Sequence, residues 1–216
     1  MKLSLMVLGL LVCVATMAAA GVTTFNYSAP AGWNLIALPG IPLDPAVESV
    51  ITTIPVDGYL YRWDAPTQGL VAYDMWAPEI FGNMLLTDGY WLKNGTGSPK
   101  TISFSGLNDN NSMDIWIGLP KSGWTLIGNP FNSSFTWQNA KVTDGNTTKT
   151  LQEACQYPGS ANWVQSIVYG WNANSQGMYD VGLPDDFPTS EELEAWHGYW
   201  VKSYQDKLAL ILESSL

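Results

Sequence analysis

Few residues in this chain could do covalent or acid–base chemistry, and none stands in a constellation that would. A nucleophilic thiol needs a base and an orienting group. No such set is evident around Cys155, which is expected to be a buried or loosely packed thiol, with an intermolecular disulfide as the alternative. The single histidine, His197, adjoins Gly198-Tyr199-Trp200; the same phrase at Gly89-Tyr90-Trp91 is preceded by Asp88, so the position reads as a tolerant turn rather than a proton shuttle. Glycoside hydrolysis needs two carboxyls across a cleft. Asp185-Asp186 and the trio Glu191, Glu192 and Glu194 instead fall in a Pro-flanked loop and on a short expected helix, where solvent and a helix N-terminus account for them. Asn108-Asp109-Asn110 with Asp114 offers oxygen ligands for Ca²⁺ but lacks the spacing and glycine of an EF-hand loop, and reads as a linker. No catalytic residue, cofactor or metal site is therefore expected.

Aromatic rings are what the chain has in excess. Eleven Trp and ten Tyr exceed what a core of this size requires, and rings on a β face can stack on the apolar faces of sugars or form an interface. Tyr61, Trp63, Tyr169 and Trp171 stand beside turns, where rings should be partly exposed; these four are the candidate ligand or interface residues. Trp33, Trp91, Trp124 and Trp200 lie inside strong strand patterns and are expected in the core.

The elements that must position these rings come in two copies. GWNLIALP at 32–39 returns as GWTLIGNP at 123–130, an offset of 91, whereas Tyr61-x-Trp63 and Gln68-Gly69 return at an offset of 108 and GYW at 109. Such self-similarity signals one structural unit used twice. The shift in offset places about 17 extra residues in the second crossover, and the unequal segment 131–165 is where any activity specific to this chain is expected. Runs rich in aromatic and β-branched residues at 23–28, 33–38, 59–63, 70–75, 89–93 and 101–105, and again at 114–119, 124–127, 167–171, 178–181, 198–202 and 208–212, read as short strands between Gly, Pro, Asn and Asp clusters. The expected fold is all-β: two tandem antiparallel sandwich or barrel-like domains at 21–107 and 114–216, joined by a linker at 108–113. The first GW strand is apolar on both faces and is expected to be central. Short helices are expected at 46–52 behind Asp44-Pro45, at 148–156, and at 190–196 behind a Thr189-x-x-Glu192 capping box.

The order GWNLIALP, then Tyr61-Arg62-Trp63-Asp64, then DGYWLK at 88–93, resembles a repeat module of secreted and cell-surface bacterial and archaeal proteins marked by GWNLISLP and GYW phrases. The resemblance covers nearly all of the chain after the leader, twice, with departures at Gly128-Asn129 and in the longer second crossover. It implies an extracellular β domain of uncharacterised function, with no catalytic residues to carry over.

The N-terminus has the three-part layout of a secretory signal: Lys2, an apolar run at 3–14, and Ala18-Ala19-Ala20 before Gly21, with cleavage expected after Ala20. Roughly 18 apolar or small residues are short for a retained spanning anchor, and Val12 is too bulky to precede a lipidated Cys13. Cleavage leaves Cys155 alone, so no intramolecular disulfide can form. It also leaves eight basic against nineteen acidic residues, which excludes nucleic acid as a natural partner. No membrane contact is expected once the leader is gone. Asn26, Asn94, Asn110, Asn132 and Asn146 begin N-x-Ser/Thr sequons, which in a eukaryotic secretory protein would mark surface loops. Two functions from different classes follow. One is a structural subunit of an extracellular filament, sheath or surface layer, a homo-oligomer or polymer in which strands 23–28 and 208–212 pair across molecules. The alternative is a glycan-binding or adhesion module using the turn-flanking Trp and Tyr.

Overall fold

Residues 21–108, 112–155 and 162–214 are described by the computed structural model; the expected leader, linker residues 109–111 and the Asn110 sequon lie outside them. The period-two patterning of the sequence becomes antiparallel ladders. In the first half, β1 (Val22–Ala29) pairs along its whole length with β7 (Lys100–Leu107), whose other edge carries the short β3 (Ile41–Pro42). Against this layer lies a sheet of β2 (Gly32–Ala37), β4 (Leu60–Asp64), β5 (Gly69–Ala72) and β6 (Gly89–Asn94), in the order β2-β6-β4-β5. Phe25, Ile36, Leu60, Tyr90, Leu92, Ile102 and Phe104 fill the space between the two layers.

The second half repeats this plan. Strands β8 (Ile115–Leu119), β11 (Lys141–Thr143), β12 (Thr148–Thr150) and β17 (Leu208–Leu212) form the order β12-β11-β17-β8. Strands β9 (Gly123–Gly128), β13 (Val168–Asn172), β14 (Gly177–Val181) and β16 (Gly198–Ser203) form β14-β13-β16-β9, the same neighbours as β5-β4-β6-β2. The extra crossover adds β10 (Phe135–Thr136), which pairs with β15 (Glu192–Leu193), then β12 and the short helix Leu151–Cys155. It also contributes Trp137, fully buried, whose indole Nε1 donates to the Ser166 carbonyl at 2.8 Å.

Four expectations are corrected. The capping box at 189–192 opens no helix: the Thr189 hydroxyl donates to the Asp180 carboxylate at 2.5 Å, and Glu192-Leu193 is drawn into a ladder by Phe135-Thr136. Tertiary pairing overrides the local signal. The other two helices are shorter than their signals, at Val47–Val50 and Leu151–Cys155, with 148–150 extended instead. The first GW strand is buried on both faces, yet β2 lies at the edge of its sheet rather than the centre. Finally, β17 is flanked by β11 and β8, so its backbone groups are already paired and strand 208–212 offers no edge to a neighbouring molecule.

Candidate aromatic binding clefts

An edge strand must dispose of unpaired N–H and C=O groups, and β2 and β9 do so with a side chain from the opposite half. In the turn between β13 and β14, Gln176 sits at φ 52° and lays its carboxamide against β2. The Trp33 N–H donates to Gln176 Oε1 at 2.9 Å, and Gln176 Nε2 donates to the Trp33 carbonyl at 3.0 Å. Gln68, in the turn between β4 and β5 at φ 55°, repeats this on β9: the Trp124 N–H donates to Oε1, and Nε2 donates to the Trp124 carbonyl, both at 2.8 Å. The amide side chain thus acts as one residue of an added strand. The glycine of each GW phrase follows from the same contact, because a Cβ at Gly32 would lie 2.7 Å from Gln176 Oε1 and one at Gly123 would lie 2.2 Å from Gln68 Oε1, at φ values of +96° and +132°.

Two tryptophans complete the exchange. Trp63 Nε1 donates to the Trp124 carbonyl at 2.7 Å, and Trp171 Nε1 donates to the Trp33 carbonyl at 2.8 Å. At the other end of the strands, the Ala37 N–H donates to the Trp196 carbonyl and the Gly128 N–H to the Thr87 carbonyl, at 2.9 and 2.8 Å. Contacts that are reciprocal in this way describe a self-complementary interface, here between two halves of one chain.

Period two puts Tyr61 and Trp63 on one face of β4, and Tyr169 and Trp171 on one face of β13. Because each Trp reaches across the interface, each half completes a cleft in the other. The first cleft, about 480 Å³, is lined by Trp33, Tyr61, Leu70, Trp91 and Trp171. The second, about 460 Å³, is lined by Trp63, Trp124, Gln165, Tyr169, Met178 and Trp200. The rings meet at steep angles in both: Trp91 and Trp171 centroids are 5.2 Å apart at 72°, and Trp63 and Trp200 are 4.9 Å apart at 82°. These are edge-to-face packings that hold each ring in place. Lys93 Nζ stands 5.7 Å from the centroid of Trp33, and Lys202 Nζ stands 5.2 Å from that of Trp124.

All four candidate aromatics therefore line a cleft. The expectation that Trp33, Trp91, Trp124 and Trp200 are core residues is corrected: each is half-buried and walls a cleft. The face they occupy reads as a second core surface in the sequence, which cannot show that it meets an open boundary. The repeated Gln-Gly of the two turns was the one available sign of Gln68 and Gln176.

The remaining chemistry-bearing residues lie elsewhere. Burial pushes the Cys155 thiol up to about 12, so it stays protonated and unreactive. Burial pushes Asp88 up to about 6 and, at the matching position of the other half, lowers His197 from its usual value. His197 Nδ1 lies 3.0 Å from the Ala195 carbonyl, and Glu194 is 3.5 Å away. Asp185 and Asp186 form a 3-10 turn, Pro184–Asp186. Asp114 accepts the Ser214 N–H. Among the described residues no three His, Cys, Asp or Glu gather as a metal site. The Asn94 sequon is buried, its Nδ2 donating to the Ala29 and Ser98 carbonyls, whereas Asn26, Asn132 and Asn146 are exposed.

No family model matches this chain, and no solved structure does. Among characterised proteins it is similar to dual oxidase maturation factor 1 of Xenopus tropicalis, with 28% identity over 116 residues, which covers 49% of this chain and 36% of that protein. The chain thus spans about a third of the length of that relative. Among the described residues no helix is long and apolar enough to cross a membrane.

Proposed function

We propose that this protein is a non-enzymatic, secreted glycan-binding or adhesion module that presents two aromatic clefts. The supporting observation is the pair of clefts itself. Each has a volume within the usual range for small-molecule sites, roughly 300–1,000 Å³, and is walled by Trp and Tyr rings whose neighbours already fix them. The indole N–H groups of Trp63 and Trp171 are consumed within the protein, which leaves carbon surface for the cleft, the surface on which sugar rings stack. Rings already held in place lose little entropy on binding. The leader layout supports the extracellular setting.

Glycan-array binding tests this reading, with Tyr61→Ala and Tyr169→Ala as the informative variants, because these rings line the clefts without joining the halves. Binding weakened in each variant and lost when the two are combined, with an unchanged circular dichroism spectrum, is the expected result; an array on which the unaltered protein binds no glycan refutes it.

Self-assembly into a filament, sheath or surface layer is the second reading. It is favoured by Trp76, Ile80 and Leu85, which are 85%, 63% and 53% exposed on one segment between β5 and β6, and by the outer edge of β1, which carries no ladder among the described residues. A species that stays monomeric by light scattering at high concentration, with no ordered polymer in electron micrographs of native material, excludes it.

A further inference from the structure

Trp171 lines two sites: the first aromatic cleft, and a separate cavity of about 510 Å³ at the boundary of the halves, which Tyr27 from β1 lines together with Tyr179, Glu194 and His197. This cavity is chemically unlike the clefts. The Ala195 carbonyl can only accept, so His197 Nδ1 carries the proton and, in the neutral ring, Nε2 is left as an acceptor. Glu194 adds a carboxylate whose side chain is 59% exposed. Tyr27 adds a phenol packed at 5.4 Å on Trp196. No Lys or Arg lines the cavity, and the chain carries a formal charge of −10. The Glu194 carboxylate is therefore the acidic group among the residues that line the cavity.

The matching positions of the other half carry different side chains. At the positions matching Tyr27, Tyr179, Glu194 and His197 stand Ile117, Val71, Leu85 and Asp88, so this set of polar groups adjoins the first cleft. We infer that the first cleft and this cavity form two adjoining subsites that share Trp171, and that the cavity takes an amino sugar, with the ammonium on Glu194 and ring hydroxyls on His197 Nε2 and Tyr27. This deepens the proposed glycan-binding function and rests on it. A uronic acid is repelled by Glu194, and an N-acetyl group replaces the ammonium with a neutral amide.

Isothermal titration at pH 7 with a β-1,4-linked glucosamine disaccharide, its N-acetylated form and a galacturonate disaccharide tests the assignment. The free amine should bind at least about tenfold more tightly than either of the others, a ratio typical of one charge-assisted hydrogen bond. Glu194→Gln should abolish that preference, Tyr27→Phe should weaken binding of the amine, and Trp116→Ala, 59% exposed on β8 and outside the cavity and both clefts, should leave it unchanged. Equal affinity for the three sugars, or indifference to Glu194→Gln, overturns the subsite while leaving glycan binding standing if Tyr61→Ala combined with Tyr169→Ala still abolishes it. Absence of any sugar binding by the unaltered protein overturns both.

Discussion

Replacing Gln176 tests whether the halves are held by the amide exchange, and the two obvious substitutions should differ in a telling order. Gln176→Ala removes hydrogen bonds with the Trp33 N–H at 2.9 Å, the Trp33 carbonyl at 3.0 Å and the Ala173 carbonyl at 2.5 Å. The Trp33 carbonyl keeps the Trp171 indole, so the N–H of Trp33 is the group most clearly orphaned. At a net value near 1 kcal/mol per neutral hydrogen bond, the loss is about 2–3 kcal/mol. Gln176→Glu retains the shape but turns a carboxylate oxygen toward two carbonyls, so it should cost more than alanine despite being the smaller change. Its penalty should also depend on pH. The folded state raises the pKa of this introduced carboxyl above its unfolded value of about 4.3, so stability is recovered below that value, where the protonated group can again donate, and is lost as pH rises through the folded pKa. Urea unfolding followed by tryptophan fluorescence at pH 3.5 and 7 reads both effects. A Glu variant as stable as the Ala variant at pH 7, or an Ala variant whose midpoint does not move, refutes the account.

Three further outcomes follow from the structure. Asp88 binds its proton more tightly folded, at about 6, than unfolded, near 3.8, so its contribution is full below pH 4 and lost as pH rises through 6, a swing of about 3 kcal/mol. Asp88→Asn should therefore gain on the unaltered protein across that window in a pH series of unfolding midpoints, and a constant difference refutes it; His197, whose pKa is lowered, acts in the opposite sense, its contribution full above about 6.5 and lost as pH falls. A Cβ at Gly89 would lie 2.7 Å from the Ile127 carbonyl, whereas at Gly198 the nearest atom is 3.1 Å away on Leu35; Gly89→Ala should cost about 1–3 kcal/mol and more than Gly198→Ala by thermal unfolding. Trp137→Ala should cost about 3–5 kcal/mol, because the ring is fully buried and its N–H leaves the Ser166 carbonyl unpaired; a change below 1 kcal/mol would place that ring outside the second core.

The strands were largely legible because a pleated layer imposes period two on the residues themselves, and aromatic and β-branched runs between turn residues carry that period openly. The matching phrases likewise showed where strands would recur. Helix signals misled where pairing competed: Thr189-x-x-Glu192 satisfies every local requirement of a cap, but β10 lies alongside and takes the backbone.

By itself the sequence determined an all-β chain, rich in Trp and Tyr, with GW and GYW phrases at long offsets. Only the tertiary structure decided that β2 and β9 are edges, that Gln68 and Gln176 close those edges across the interface, and that Trp63 and Trp171 each serve the opposite half. The reason is physical. Strand formation depends on neighbours one or two residues away, whereas Gln176 and Trp33 lie 143 positions apart. Their pairing exists only once two sheets have met and each has left an edge for the other to fill.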